Sequence, residues 1–281
     1  MGFGVLSIPN SRSPFTALSL CRQLVVALIA LVAIGGATRV MEAGLACPDW
    51  PLCYGSLLPA KQMSLQVFLE WFHRLDAFFV GIGLIVLLVM ALIDRDQLPR
   101  WLPWVSGVAL LLVAAQGALG ALTVTQLLRF DIVSAHLATA LLLVALLSGA
   151  AQMLQPLSAE PRPALAQPLC AAAGVLLYCQ CIAGALMATQ WASGRCLRLA
   201  EGCAWLSAHR GLATPAAALA LLSVLLVLAL PSPASARRLL LFAGVLVAAQ
   251  VLLGVLTLRL SLSEPLVTVG HQLVAALLIA T

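Results

Sequence analysis

Long apolar runs broken by short polar stretches set the pattern of this chain. Eight of them recur, at approximately 22–43, 68–93, 102–126, 131–153, 168–190, 206–230, 238–259 and 264–281. Each is close to the roughly 20 residues a helix needs to cross a hydrocarbon layer about 30 Å thick. Val, Leu and Ala fill the runs without the period-two alternation of a membrane barrel. The pattern therefore predicts an all-α, polytopic membrane protein with eight transmembrane helices. The last run stops at Thr281, barely long enough to span. The first 20 residues carry one basic residue, Arg12, and no small-residue cleavage site, and read as a short cytoplasmic tail.

A repeat organises the eight runs. Residues 114–124, AAQGALGALTV, match residues 248–258, AAQVLLGVLTL, at seven of eleven positions and an offset of 134, including Gln116 and Gln250. The histidines fall into step: His73 and His209 are 136 apart, His136 and His271 are 135 apart, and His73 and His209 are each followed by arginine. Residues 1–155 and 168–281 are expected to be two four-helix halves joined by a proline-containing linker, 156–167. Four is even, so both halves enter from the same side, as two pseudo-symmetric parallel four-helix bundles.

Composition agrees with the pattern: 63% of the 281 residues are hydrophobic and 9% charged, far from a water-soluble domain. The net charge of +5 is spread along the chain and offers no nucleic-acid surface. With the N-terminus inside, seven basic residues fall on the inner side and eight on the outer, so the positive-inside rule does not orient the chain. The cysteines do. Cys47 and Cys53 lie in the first loop and Cys196 and Cys203 in the fifth, both on one side, and two close pairs point to disulfides in an oxidising compartment. The N-terminus is then cytoplasmic and the odd loops periplasmic, in a bacterial inner membrane. Cys21, Cys170, Cys179 and Cys181 read as small buried hydrophobes.

The chemistry gathers at the outer ends of the even helices. Glu70-Trp71-Phe72-His73-Arg74-Leu75-Asp76 opens the second run, and so many ionisable groups beside lipid need a reason. On a helix Glu70, His73 and Asp76 share a face, and Glu70 and Arg74 have ion-pair spacing. A helix that merely begins late would leave them solvated. The other histidines argue against that: His73, His136, His209 and His271 are the only ones in the chain, one near the start of each even run. Zinc would want three or four ligands in one cluster. Two facing imidazoles per half suit a six-coordinate heme iron instead. Arg39, Arg74 and Arg210 are candidate contacts for heme propionates, with snorkelling to the interface as their plainer role. The halves differ at one point. Leu206 and Leu212 stand where the first half has Glu70 and Asp76, so the first half is expected to be reactive and the second to accept electrons.

These residues resemble the heme A synthase family. The resemblance rests on Ala37-Thr38-Arg39, on Cys47-Pro48-Asp49-Trp50-Pro51-Leu52-Cys53, on Glu70 with His73-Arg74, and on His136, His209-Arg210 and His271, and it covers nearly the whole chain. It implies that heme O is substrate and binds His73 and His136, while heme b is cofactor on His209 and His271. Glu70 would be the essential acid, and Cys47 and Cys53 a disulfide. The implied reaction oxidises the C8 methyl of heme O to a formyl group through a hydroxymethyl intermediate. Heme O synthase and a quinone acceptor are the implied partners, besides the bilayer. Asp76 has no place in the resemblance. Two other readings use the same residues: a bis-histidine diheme cytochrome between quinone and a partner, and a thiol-oxidising membrane protein built on the cysteine pairs.

Overall fold

The computed structural model describes residues 13–156, 163–192 and 203–281. Within them the protein is helical: α1 (Ser13–Val40), α2 (Leu65–Ile93), α3 (Leu102–Thr125), α4 (Phe130–Met153), α5 (Ala166–Ala192), α6 (Ala204–Ala229), α7 (Ala234–Arg259) and α8 (Pro265–Ala280). One 3-10 turn, Ala60–Gln62, lies in the loop before α2. Seven helices are long and apolar enough to cross a membrane. The eighth, α8, has 16 residues, about 24 Å at 1.5 Å per residue, so the expected eight spans become seven long helices and a shorter one. Most of the linker, 157–162, and Cys196 of the second cysteine pair lie outside the described residues.

Helix ends follow the apolar runs to within a few residues except at the start. Ser13–Leu20, expected in a tail, are the first turns of α1. Ala17 is buried in a cluster with Ala91, Leu98 and Leu102, and this packing at the far end of α2 and the start of α3 carries the helix past Arg22. Arg22 itself is on the exposed face, where it does not interrupt the packed stripe.

α1 packs on α2 and α4, α2 on α3, and α3 on α4, closing a ring of four; α5 packs on α6 and α8, α6 on α7, and α7 on α8, closing another. The two meet where α1 touches α8 and where α4 touches α5 and α8. Hydrogen bonds cross between them: Tyr178 to the Ala138 carbonyl at 3.0 Å, Ser134 with Thr189 at 3.0 Å, and Gln272 to the Val32 carbonyl at 3.2 Å. The main packed cluster, with Leu24, Leu28, Leu84, Leu87, Leu143 and Leu147, lies inside the first ring. Outer faces are as apolar as inner ones, with Phe78, Leu111 and Val245 exposed. Between apolar helices in lipid, close packing and hydrogen bonds hold the bundle, because leaving lipid gains an apolar side chain nothing.

Two corners are built alike. α3 ends in two left-handed residues, Leu127 (φ 50°) and Leu128 (φ 58°), and α7 in Ser261 (φ 53°) and Leu262 (φ 59°). In each, the second left-handed amide donates to a threonine carbonyl five residues back, Leu128 to Thr123 at 2.8 Å and Leu262 to Thr257 at 2.9 Å, a Schellman-type closure. Leucine there costs about 1–2 kcal/mol relative to a right-handed residue, yet both corners hold it.

Candidate functional site

The loop Met41–Ser64 is locked onto the mouth of α2. Ser64 caps the helix, accepting from the Val67 amide at 3.2 Å. Cys47 and Cys53 are joined by a disulfide. Inside that ring, the Asp49 carboxylate accepts from the amides of Tyr54 at 2.6 Å and Gly55 at 2.8 Å. Tyr54 and Gly55 both have positive φ, 54° and 68°, which aims their N–H groups at one carboxylate. Those bonds, Gly55's foremost, together with the nearby Arg74 charge, hold the Asp49 carboxyl below the usual carboxylate range.

Three residues of the α2 mouth grip this loop. Arg74 donates through Nη1 to the carbonyls of Asp49 at 2.6 Å and Leu52 at 2.5 Å, and through Nη2 to that of Cys47 at 3.4 Å. Trp71 Nε1 donates to the Leu57 carbonyl at 2.7 Å. Glu70 is buried; one carboxylate oxygen pairs with Arg74 at 2.5 Å and the other accepts from the Cys47 amide at 2.8 Å. The i,i+4 spacing foretold the first of these contacts. The second, to the amide of a disulfide cysteine, depends on the path of the loop. Leu206, Glu70's counterpart, packs instead with Met187 and Cys203.

His73 points from the same helix mouth into the bundle. Its ring centre is 6.4 Å from that of His136, and the ring centres of His209 and His271 are also 6.4 Å apart. The four histidines thus meet two by two. Among the described residues no three His, Cys, Asp or Glu side chains come together as a metal cluster.

Each imidazole lies against a glycine of the preceding helix. A Cβ on Gly35 would sit 2.9 Å from His73 Cε1, on Gly184 2.8 Å from His209, on Gly254 3.0 Å from His271, and on Gly120 3.6 Å from His136. Closest in each case is Cε1, so that edge of the ring rests on the helix. His209 Nδ1 is 3.1 Å from the Gln180 carbonyl, four residues before Gly184. The carbonyls of Leu31, Gln116 and Gln250, each four residues before its glycine, face the rings of His73, His136 and His271 in the same way, short of a formed hydrogen bond.

Glutamine side chains tie three of the cradles. Gln116 donates to the His136 carbonyl at 2.8 Å and Gln180 to that of His209 at 2.9 Å. Gln250 lies 3.4 Å from His271 Nε2. The sequence signal was present: Gln and Gly four apart recur as Gln116/Gly120, Gln180/Gly184 and Gln250/Gly254, and only the repeat itself was drawn from them. Of the other candidates, Arg39 is half-buried and Arg210 exposed. The ion pairs among the described residues are Glu70–Arg74 and Arg129–Asp131, leaving Arg39 and Arg210 without counter-ions there. Asp76 is half-buried. Cys21, Cys170, Cys179 and Cys181 are free thiols.

These pairs fit heme. A metal–imidazole bond of about 2 Å on each side, plus about 1.2 Å from nitrogen to ring centre, places two axial rings about 6.4 Å apart. At His73, His136 and His209 the Nδ1 edge turned to a backbone carbonyl is the outer-shell arrangement that leaves Nε2 for a metal; at His271 the Gln250 amide lies 3.4 Å from Nε2.

Fold and site together define a multi-pass membrane protein, helical through its described residues, in which four histidines meet in two pairs. The chain belongs to the Cytochrome oxidase assembly protein family, whose model matches residues 20–281. Among its relatives is the heme A synthase of Sphingopyxis alaskensis, 30% identical over 311 aligned positions that cover 90% of this chain and 86% of that one. The heme A synthase of Shewanella oneidensis is 34% identical over 145 residues, 46% of this chain and 42% of that one. That of Erythrobacter litoralis is 28% identical over 199 residues, 57% and 59%. The matched part of the chain thus spans about half the length of the last two.

Proposed function

We propose that this protein is a heme A synthase: an oxidoreductase that converts the C8 methyl of heme O to a formyl group. The observation that carries the reading is the pair of matched histidine couples, each 6.4 Å between ring centres, with a buried acid, Glu70, beside the first and none beside the second among the described residues. The first half, 1–155, takes heme O between His73 and His136, and the second, 168–281, holds heme b between His209 and His271. The closed rings of helices, the repeated left-handed corners and the offset of about 135 support two pseudo-symmetric parallel bundles.

The chemistry balances as two two-electron oxidations and a dehydration. Methyl and water give the hydroxymethyl group, two protons and two electrons; a second such step gives a geminal diol, which loses water to leave the aldehyde. Heme b, when bound, supplies a relay for the electrons toward an acceptor such as quinone. Glu70, one helical turn from His73, stabilises positive charge developing at the oxidised carbon and takes a proton from the attacking water. The latch of Arg74 and the Cys47 amide fixes where that carboxylate stands. Arg39 and Arg210, cations near the helix mouths without a counter-ion among the described residues, meet heme propionates, and Arg74 can add to them through its remaining donor. The disulfide supports placing this face toward the periplasm of a bacterial inner membrane, with the N-terminus in the cytoplasm. Heme O synthase is the natural supplier of the substrate.

The test is chemical. Purified protein from cells making heme O should yield heme b together with heme O, its alcohol or heme A on extraction. Two b-type hemes alone, with no methyl oxidation in cells, would identify a diheme cytochrome instead.

A further inference from the structure

Positions equivalent in the two halves hold their histidines differently. His209 is bonded twice to Gln180: the amide side chain donates to the His209 carbonyl at 2.9 Å, and His209 Nδ1 lies 3.1 Å from the Gln180 carbonyl. At the matching place under His73 the residue four before the cradle glycine is Leu31. Its side chain packs with the apolar cluster of the first ring, and it has no group to donate. His73 Nδ1 is buried without a hydrogen-bond partner, as are His136 Nδ1 and His271 Nδ1, so among the four only His209 is held at Nδ1. The Leu31 carbonyl faces the His73 ring short of a formed hydrogen bond, and no side chain of α1 donates to α2 at this level among the described residues. Across the same pair Gln116 ties the His136 carbonyl at 2.8 Å, so a glutamine reaches one histidine of the first pair, against both of the second, Gln180 at the His209 carbonyl and Gln250 3.4 Å from His271 Nε2.

We propose that Leu31, standing where the second half has Gln180, makes His73 a loosely held ligand and so makes the first pocket the one that exchanges its heme. This rests on the heme-binding reading above. An iron ligand leaves by ring rotation or by displacement of its helix. Ring rotation is restricted alike in both halves by Gly35 and Gly184, which seat the Cε1 edge. Helix displacement is not: separating α5 from α6 breaks the formed Gln180 bonds in an apolar surround, whereas separating α1 from α2 at Leu31 breaks packing and the unformed approach of the Leu31 carbonyl to the His73 ring. A synthase must release one heme at every turnover and keep the other. Leu31 is thus a positioning residue that acts through His73.

The test uses holoprotein carrying heme O and heme b, whose identities on extraction report the two pockets. The protein is mixed with excess apo-globin as heme acceptor, and the heme O and heme b left on it are followed with time. Wild type should lose heme O faster than heme b. Leu31→Gln should slow heme O loss by roughly three- to tenfold, the factor one neutral hydrogen bond supplies, and leave heme b unchanged. Gln180→Leu should speed heme b loss by a similar factor and leave heme O unchanged. Leu31→Ala, which alters packing but adds no donor, should not slow heme O loss. Either reciprocal variant leaving its own heme's loss rate unchanged overturns the proposal, and if Leu31→Gln does not accumulate as folded protein, Gln180→Leu decides alone. Wild type that holds no second heme species would instead overturn the functional reading.

Discussion

Replacing Glu70 with Gln separates a catalytic carboxylate from a latch. The Glu70 and Arg74 side chains are 6% and 16% exposed, and the pair is 2.5 Å apart. Its other oxygen accepts from the Cys47 amide at 2.8 Å. A carboxamide offers one acceptor, so Glu70→Gln must turn its NH2 toward one of these two donors and loses one charge-assisted bond, about 1.5–3 kcal/mol. The loop stays attached, because the disulfide and the three carbonyl bonds from Arg74 remain. Arg74→Met is more severe: it removes those three bonds and leaves the buried Glu70 charge uncompensated, about 3–5 kcal/mol. If Glu70 only holds the loop, heme A yield should follow stability, with Arg74→Met the poorer. If Glu70 acts in the reaction, Glu70→Gln should be the poorer despite its smaller stability loss, by about 10²–10⁴ in rate, with both hemes bound and heme O or its alcohol accumulating. The assay extracts and separates heme O, the alcohol and heme A per bound heme, beside thermal unfolding of the same samples. Normal heme A from Glu70→Gln, or an order of yields that tracks stability, would refute the catalytic assignment.

Other outcomes follow from the same contacts. His209→Ala or His271→Ala should deplete heme b while leaving heme O bound, seen in extracted hemes; unchanged heme b would refute these ligands. Peptide mapping of unreduced protein should recover Cys47 linked to Cys53, and Cys53→Ser should lower stability by roughly 2 kcal/mol, as expected for so short a loop. Because its amide partners lower the folded Asp49 pKa, Asp49's contribution is fully present above the unfolded value of about 3.9 and is lost as pH falls through the lower folded value. Loop proteolysis should therefore be flat from pH 5 to 8 and rise only in stronger acid, and Asp49→Asn should abolish that rise.

What hydropathy and spacing encode was readable in advance: seven long helices, the even-helix histidines, the Glu70–Arg74 pair. Each depends on neighbours along one helix or on length alone. The start of α1 was not, because Arg22 interrupts the apolar run without touching the buried stripe, and Ala17 finds its partners on α2 and beyond. Nor was the second job of Glu70 and Arg74, since backbone groups of a loop more than twenty residues upstream receive them, and backbone groups leave no mark in a residue pattern. The glycine cradles fall between. Their Gln–Gly spacing is visible three times, but a glycine under an imidazole matters only once the packing of two helices is known.

The left-handed corners bear on how the two repeats of the sequence keep His136 and His271 in the same phase. From residue 114 to the corner the repeats run 134 residues apart, Thr123 with Thr257 and Leu128 with Leu262; at His136 and His271 they run 135 apart. The extra residue falls after the corner and before α8, because His136 lies six residues past Phe130 and His271 six past Pro265. Within the helix, one inserted residue would have swung the imidazole by about 100°, out of its pocket and onto a neighbour's backbone. Placed in the connection it leaves His271 at the same angular position on α8 as His136 has on α4, because a connection records no angular phase.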